Sequence, residues 1–526
     1  MPVPGAAGDA TVRDVRAPRP RTLHGRSLAK KNRATPGESR LVRYLLPAIV
    51  PFAREAAVLR SFVLATSLLG LVSASALADS LGPDQIRRID ADVTAILDRT
   101  RAPSAVVAVV RNDRIVFRKA YGFRDSERRL AADVGSLYEI GSITKQFTAA
   151  AIVQLRDEGK LALDDKLSNF LPDAPHADEV TLRQLLSHTS GLPEYLDGPD
   201  IEEAATRPAT FAQLMARIAG KPLVFAPGSK MAYNNTGYIL LGRVVEVVSH
   251  RSYRDYVRTH LLDRAGMKRT FTVADESRLA GMAIGYQVRQ GTLQRAPTIH
   301  DSFGWAAGNL VSTVDDLASW STALARGKIV NKKSYEEMTT PAPVSEGTSD
   351  YGLGLFVDSV RDQPRIGHTG GSFGFTTADE FFPKQNLRVI AFTNGSSDPE
   401  PGEMITNAIF DDLFPEIAAA ARKAASGENP EITTQTRALF EELQRGSGDY
   451  STLGGKLAAK MKNGLAGRLA DRFSPFGSPT RFIYKGARSE GNLHWHDYLI
   501  EFGPGSQLKF SIGLDEAAKI ASISYG

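Results

Sequence analysis
The sequence predicts an α+β fold: one antiparallel sheet assembled from both chain ends, a helical region between its strands, and a small C-terminal α+β domain. Three observations carry this. Residues 105–121, "AVVAVVRNDRIVFRKAY", hold two β-branched runs around Asn112-Asp113, a hairpin pattern. From Ser142 to about Gly159, and again around 181–187, 236–249 and 314–326, apolar residues recur near helical spacing. Strand patterns return at 351–358 and at 387–394, "LRVIAFTN". Strands at both ends with helices between them pack as one sheet covered by helices.

A leader precedes these elements. Arg60 is followed by "SFVLATSLLGLVSASALA", an uncharged apolar run that ends in Ala76-Leu77-Ala78. A basic flank, an apolar run and a small-x-small end form a signal-peptide pattern, with cleavage expected after Ala78. A membrane anchor is the alternative, since the run is about long enough to span a bilayer. An Arg-rich transit peptide is another. The Ser- and Ala-rich end favours cleavage, hence an exported product, periplasmic or secreted, with no stable membrane span. Residues 1–57 form a long preamble, which translation starting near Val58 would explain.

The chain has 526 residues, 42% hydrophobic and 23% charged, ordinary for globular protein and long enough for two or three domains. Its net charge of +5 belongs to the leader. Residues 1–60 carry 12 basic against 4 acidic side chains, whereas residues 79–526 carry 52 against 55. The folded part therefore offers no electrostatic case for binding nucleic acid. With no cysteine, disulfides, thiol catalysis, Cys-ligated metal and a lipid-modified N-terminal cysteine are all excluded.

The domain division tracks composition. Residues 79–420 hold the sheet and helices, with a helical pattern, "PEIAAAARKAA" (415–425), running across their end. A polar linker covers 421–434, and 435–526 form the accessory domain. There "TRALFEELQRG" reads as helix, and "TRFIYKGAR", "HWHDYLIEFG" and "QLKFSIGLD" read as three strands.

Two serines compete as nucleophile. Ser372 lies in "GGSFG", a G-x-S-x-G match that could mark the elbow of an α/β-hydrolase. That elbow needs a buried strand before the serine and a helix after it. "RDQPRIG" before it is polar and proline-broken, and extended chain comes after it, so the elbow reading is rejected. Ser142 and Lys145, in "YEIGSITKQF", form S-x-x-K. Three residues are nearly one helical turn, so the amine can reach the hydroxyl, which needs an adjacent base. Lysine can serve if burial depresses its pKa. The pattern also occurs at Ser27–Lys30 in the leader and at Ser506–Lys509 on an expected strand. Only Ser142 opens an apolar helix, and even there a capping serine with a solvated lysine is an alternative.

Two further segments join it. Tyr233-Asn234-Asn235 is the only Tyr-x-Asn in the chain, and "GHTGG" holds His368, Thr369 and Gly370. Taken in this order, the three motifs resemble the serine β-lactamase and penicillin-binding-protein family. The likeness is to the branch holding class C β-lactamases, DD-peptidases, D-aminopeptidases and related esterases. It extends from about 100 to 415 and includes "LLSHTSGLP" (185–193), "AAGNLVSTVDDLASW" (306–320) and "YGLGL" (351–355). The resemblance implies a β-lactamase/transpeptidase-like fold and a serine hydrolase that needs no cofactor or metal. It implies Ser142 as the acylated nucleophile, with Lys145 and Tyr233 sharing its proton as base and later acid. Asn235 would hold a substrate amide or carbonyl and orient Lys145, and His368, Thr369 and Gly370 would line the far wall. The backbone N–H groups of Ser142 and Gly371 would form the oxyanion hole.

Where the best-known lactamases carry Lys-Thr-Gly, this chain carries His-Thr-Gly, which resembles the peptidases and esterases more closely. A histidine at its usual pKa of about 6.5 can be neutral, which puts efficient lactam hydrolysis in doubt. Were His368 to act only as a cation, activity would fall above that pH. The substrate implied is a small molecule or a peptide, cell-wall peptides included. A non-catalytic binding protein on the same fold is the reading from another class, and cell-wall binding by 435–526 is compatible with either. His188 reads as a turn residue. His494 and His496 share a strand face but lack a nearby third metal ligand. Asp315-Asp316 read as first-turn acids of a helix capped near Thr313.

Overall fold
Branched aliphatic residues fill the centre of the fold because a sheet covered on both faces packs them on each side. The computed structural model describes residues 80–272, 279–289, 292–397 and 399–525; the leader expected over 1–78, with its cleavage site, lies outside the described residues. Strands β1 (Ser104–Arg111) and β2 (Arg114–Asp125) form the expected hairpin and turn at Asn112 and Asp113, both at positive φ (49° and 59°). Asn and Asp tolerate that conformation, which the hairpin turn demands. With β3 (Leu130–Ala131), β4 (Phe356–Val360), β5 (Gln363–Ser372), β6 (Phe375–Phe382) and β7 (Leu387–Thr393), they make a seven-stranded sheet ordered β3-β2-β1-β7-β6-β5-β4. At its centre β1 and β7 pair antiparallel, Val107 opposite Ala391. Both ends of the segment from Ser104 to Thr393 therefore meet in one sheet, while the last strands of the chain form another.

Alternation decides which core each residue joins. Val107, Val109, Val389 and Ala391 pack with Ile89 and Val93 of helix α1 (Pro83–Thr100). Val106, Ala108, Val110, Ile390 and Phe392 face the larger core, which includes α2 (Thr144–Asp157). Helix α2 is buried from Thr144 to Leu155, and Phe147 stacks on Trp320 at 3.9 Å. Helices α3 (Asn235–Ser249), α4 (Asp301–Gly308) and α5 (Val314–Ala325) complete the helical layer, and α6 (Pro401–Leu413) lies with α1. Thr313 caps α5, accepting from the Asp316 N–H at 3.2 Å, as the sequence suggests.

Several expectations need correction. Helix α1 was not anticipated, although Ile89, Val93, Ile96 and Leu97 lie at helical spacing. The strand expected from 351 starts only at Phe356, because Gly354 takes φ +80° and a Cβ on Gly352 would lie 2.1 Å from the Met338 carbonyl oxygen. The "RDQPRIG" stretch does form strand: Pro364 is the second residue of β5, beside the turn, where its missing N–H is tolerated. After Ser372 the chain makes a tight turn into β6 and forms no helix there, so the elbow reading still fails.

Past α6, helix α7 (Pro430–Arg445) starts inside the expected linker because Asn429 accepts from the N–H groups of Glu431 and Ile432. After a short helix at Gly455–Lys460 comes helix α8 (Ala466–Phe473), then a four-stranded antiparallel sheet of β8 (Arg481–Glu490), β9 (Leu493–Glu501), β10 (Gln507–Leu514) and β11 (Ile520–Tyr525). The sequence suggests three of these strands. Phe440, Phe473 and Phe510 centre a hydrophobic core distinct from the two beside the large sheet.

Strand β5 sits tightly on the turn that bears Ser142. A Cβ on Gly370 would lie 2.0 Å from the Ile140 carbonyl oxygen and 2.4 Å from Thr377 Oγ1. Gly370→Ala is therefore expected to lose ~1–3 kcal/mol from overpacking. Gly455→Ala, where nothing lies within 4 Å, is the control and should melt as wild type. Equal melting temperatures for the two variants would refute the tight approach.

Candidate active site
Ser142 stands in a 3₁₀ turn, Gly141–Ile143, that leads directly into α2. Gly141 holds φ +50°, and a Cβ there would lie 2.6 Å from the Gly371 carbonyl oxygen and 2.9 Å from its nitrogen. Two glycines thus bring the serine turn against the end of β5.

One position into α2, Lys145 is fully buried. Its Nζ lies 3.0 Å from Ser142 Oγ, 2.8 Å from Asn235 Oδ1 and 2.8 Å from the Ala307 carbonyl oxygen. Asn235 opens α3, and Ala307 is in the last turn of α4, where carbonyls lack intrahelical partners. Burial lowers the Lys145 pKa to about 7, with the Glu194 carboxylate acting in the opposite direction. A neutral amine has two N–H donors and one lone pair. Asn235 and Ala307 take the donors, which leaves the lone pair for the Ser142 hydroxyl proton.

Glu194 is a residue that sequence reasoning missed. Its carboxylate accepts from the Asn235 N–H (2.6 Å), the Asn235 side-chain amide (3.2 Å) and the Leu196 N–H (3.1 Å). It fixes which way the Asn235 amide faces. Its one sequence signal is its place directly after "LLSHTSGLP".

The Tyr233 ring lies 4.8 Å from Lys145 Nζ and 4.3 Å from the His188 ring. Desolvation of its phenol raises the pKa above the usual 10, although the residue as a whole is 37% exposed and the shift is correspondingly weakened by solvent, and a hydrogen bond with the Ser142 side chain opposes it. Tyr233 therefore keeps its proton at neutral pH. His188, at φ 58°, accepts from the Asn234 N–H at 3.1 Å. It works on the backbone, as its turn sequence suggests, and also stacks beside the phenol.

His368 is 2% exposed. Its pKa falls to about 3 through burial and the nearby Lys145 charge, while a bond to the Thr369 carbonyl opposes the shift. Neutral, it donates from Nδ1 to the Thr369 carbonyl (2.5 Å) and accepts at Nε2 from the Tyr351 hydroxyl (2.8 Å). Both nitrogens are engaged within the protein, so the cationic role considered for it does not fit. Gly370 packs on Ile140 instead of lining the cleft, and its contribution is close approach. Gly371 faces the cleft, and Thr369 lines an adjoining cavity.

The cleft holds about 590 Å³ and includes Ser142, Asn235 and Gly371 among its walls. Tyr195, Leu196, Phe303 and Phe373 make much of it apolar. They come from the 194–230 and 270–305 segments and from the β5–β6 turn. Ser372 is also at the cleft, but its hydroxyl donates to the buried Glu139 carboxylate.

Residues 89–413 match the family described as Beta-lactamase. "Protein flp" of Staphylococcus aureus (strain MW2) is 26% identical over 328 residues, covering 60% of this chain and 65% of that protein, just under two thirds of its length. A penicillin binding protein from Bacillus halodurans is similar in structure, with a TM-score of 0.53 at 28% identity over 62% of this chain and 98% of that one. A D-stereospecific amidohydrolase from Streptomyces sp. gives a TM-score of 0.55 at 27% identity, covering 62% of this chain and 99% of that one.

The electrostatics generate a substrate-independent test. The rate at which a fluorophosphonate labels Ser142 should rise with pH through a midpoint of about 7, as Lys145 loses its proton. The Glu194 charge raises the Lys145 pKa. Glu194→Gln should therefore move the midpoint to lower pH. A falling limb in the same range, or a shift upward in Glu194→Gln, would contradict this assignment.

Proposed function
This chain belongs to the β-lactamase family, and we propose that it is an exported serine hydrolase forming an acyl-enzyme on Ser142. Its substrates are D-residue peptides and amides, or esters. The observation that carries this reading is the buried Lys145 amine, donor-satisfied by Asn235 and Ala307 and 3.0 Å from Ser142 Oγ.

The neutral amine takes the Ser142 proton as Oγ attacks the substrate carbonyl carbon. The N–H groups of Ser142 and Gly371 receive the oxyanion, an arrangement supported by the contact of Gly141 with Gly371. Tyr233, protonated at neutral pH, donates to the departing amine or alcohol and is reprotonated from Lys145. Water then cleaves the acyl-enzyme by the same groups in reverse. Glu194 holds Asn235 so that its amide oxygen faces Lys145.

The neutral His368 supports a peptidase or esterase over a lactamase, because it offers no cation to a β-lactam carboxylate. The likeness to a D-stereospecific amidohydrolase points the same way, and the apolar walls suit an apolar substrate side chain. Export rests on the leader pattern. Among the described residues no helix is long and apolar enough to cross a membrane. Cell-wall peptides fit an exported enzyme of this kind.

A screen of p-nitrophenyl esters, D-alanyl peptides and nitrocefin against the full chain and Ser142→Ala tests the reading. Hydrolysis of an ester or D-peptide should exceed that of nitrocefin and fall at least ~10³-fold in Ser142→Ala. Lys145→Ala should lose ~10²–10⁴-fold. Turnover that survives Ser142→Ala would overturn the acyl-enzyme, and a chain that neither turns over nor labels would be a binding protein.

A further inference from the structure
Beside the catalytic cleft lies a second cavity of about 950 Å³, walled on one side by β4, β5 and α6 and on the other by the accessory region. The junction around it is built. In the β4–β5 turn, Arg361 pairs with Asp411 through two bonds of 2.9 Å, and Arg422 links Asp411 (2.7 Å) to Glu501 of β9 (2.7 Å). A Cβ on Gly505 would lie 1.8 Å from the Met404 carbonyl oxygen, so only glycine lets the 503–506 turn rest on α6.

Residues of the lining also carry unmet hydrogen-bonding capacity. Arg361 Nη1, Asn407 Oδ1, Ser506 Oγ and Gln507 Oε1 have no hydrogen-bond partner among the described residues and lie closed off behind the cavity wall, so a ligand meets them only when these side chains turn toward it. Buried polar atoms left unpaired are costly, which favours such a turn when a ligand is present. The four are a cationic donor, a hydroxyl and two amide oxygens. The lining also carries four basic and four acidic side chains, of which Arg365 is paired with Asp358 and Glu403 and Arg361 with Asp411, a balance that does not suit a polyanion.

The cavity joins the cleft. Ser397 and Glu400 line both. Thr369 lines the cavity and Gly371 the cleft, two residues apart on one face of β5. The β4–β5 ladder stops at Gly367–Phe356, while β5 stays paired with β6 as far as Ser372. The β5 backbone from His368 to Ser372 thus has no strand partner on the β4 side among the described residues. An extended peptide lying along that edge passes from Ser142 into the cavity.

We propose that the junction cavity is a substrate subsite, in which the accessory region and the catalytic region together bind a polar, peptide-like extension of the molecule cleaved at Ser142. The inference rests on the hydrolase reading. It makes the accessory region a determinant of substrate length, separate from any part it plays in stability.

The test uses the full chain and three probes that share a D-phenylalanyl unit. One is the acetylated p-nitrophenyl ester; the other two are peptides extended by three residues toward one end or the other. Wild type should prefer one extended peptide. In Asn407→Ala combined with Ser506→Ala, the ratio of its kcat/KM to that of the ester should fall ~10-fold, mainly through KM, as for lost hydrogen bonds to buried groups. An unchanged ratio for both peptides would overturn the subsite. Calorimetric binding of the same peptides to Ser142→Ala, with and without the paired substitution, reads the subsite even if no probe is turned over. Affinity that drops ~10-fold supports it, and affinity that is absent or unaltered sinks it. Failure of the hydrolase reading shows separately, as an ester that wild type does not cleave.

Discussion

A lysine amine removed from water is the constraint around which the rest of the site is arranged. Burying a charged ammonium without full compensation is expensive, and the group responds by giving up its proton more readily. Lys145 meets an amide oxygen from the start of α3 and a carbonyl from the end of α4, so three helices must hold their places for it to serve Ser142. Glu194 then locks the amide, and the rings of Tyr233, His188 and Tyr351 pack on that side, with Tyr233 still partly open to solvent. Burial pins His368 in its neutral form, and the Tyr233 phenol, ordinarily protonated at neutral pH, has its pKa raised further. Burial therefore sets the protonation of both the proposed base and the wall residue His368.

The second requirement is backbone proximity. Gly141 and Gly370 have no room for a side chain, and each marks a point where β5 meets the serine turn. The His-Thr-Gly stretch is consequently less a set of reactive side chains than a surface brought close. Its alternation gives the two faces different duties. Thr369 and Gly371 look toward open space, whereas His368 and Gly370 are packed inside.

Much of this was legible in the sequence. The hairpin at Asn112-Asp113 and the apolar run of α2 are local signals, and Ser142–Lys145 spacing on a helix gave the central pair. Tyr233 and Asn235 were legible as a motif through the family resemblance, with no local chemistry to announce them. Glu194, Tyr351 and the Ala307 carbonyl were not legible, because what they do depends on contacts between segments far apart in the chain. Pro364 hid the start of β5, since a proline beside a hairpin turn looks from sequence like a strand breaker. Charge on His368 could not be read either, because it depends on burial and on Lys145, not on residue type. The accessory region was visible as helix and strands, while its shared wall with the catalytic region depends on where the 503–506 turn lands on α6.

The proposed mechanism requires Lys145 to be a neutral base at physiological pH. A pH titration of its side-chain Cε resonance by NMR, in chain labelled with ¹³C-lysine and with the signal assigned by its loss in Lys145→Arg, measures this without any substrate. The expected midpoint is about 7. A midpoint near the ordinary lysine value of about 10.4 would mean a permanently charged amine and would contradict the base assignment.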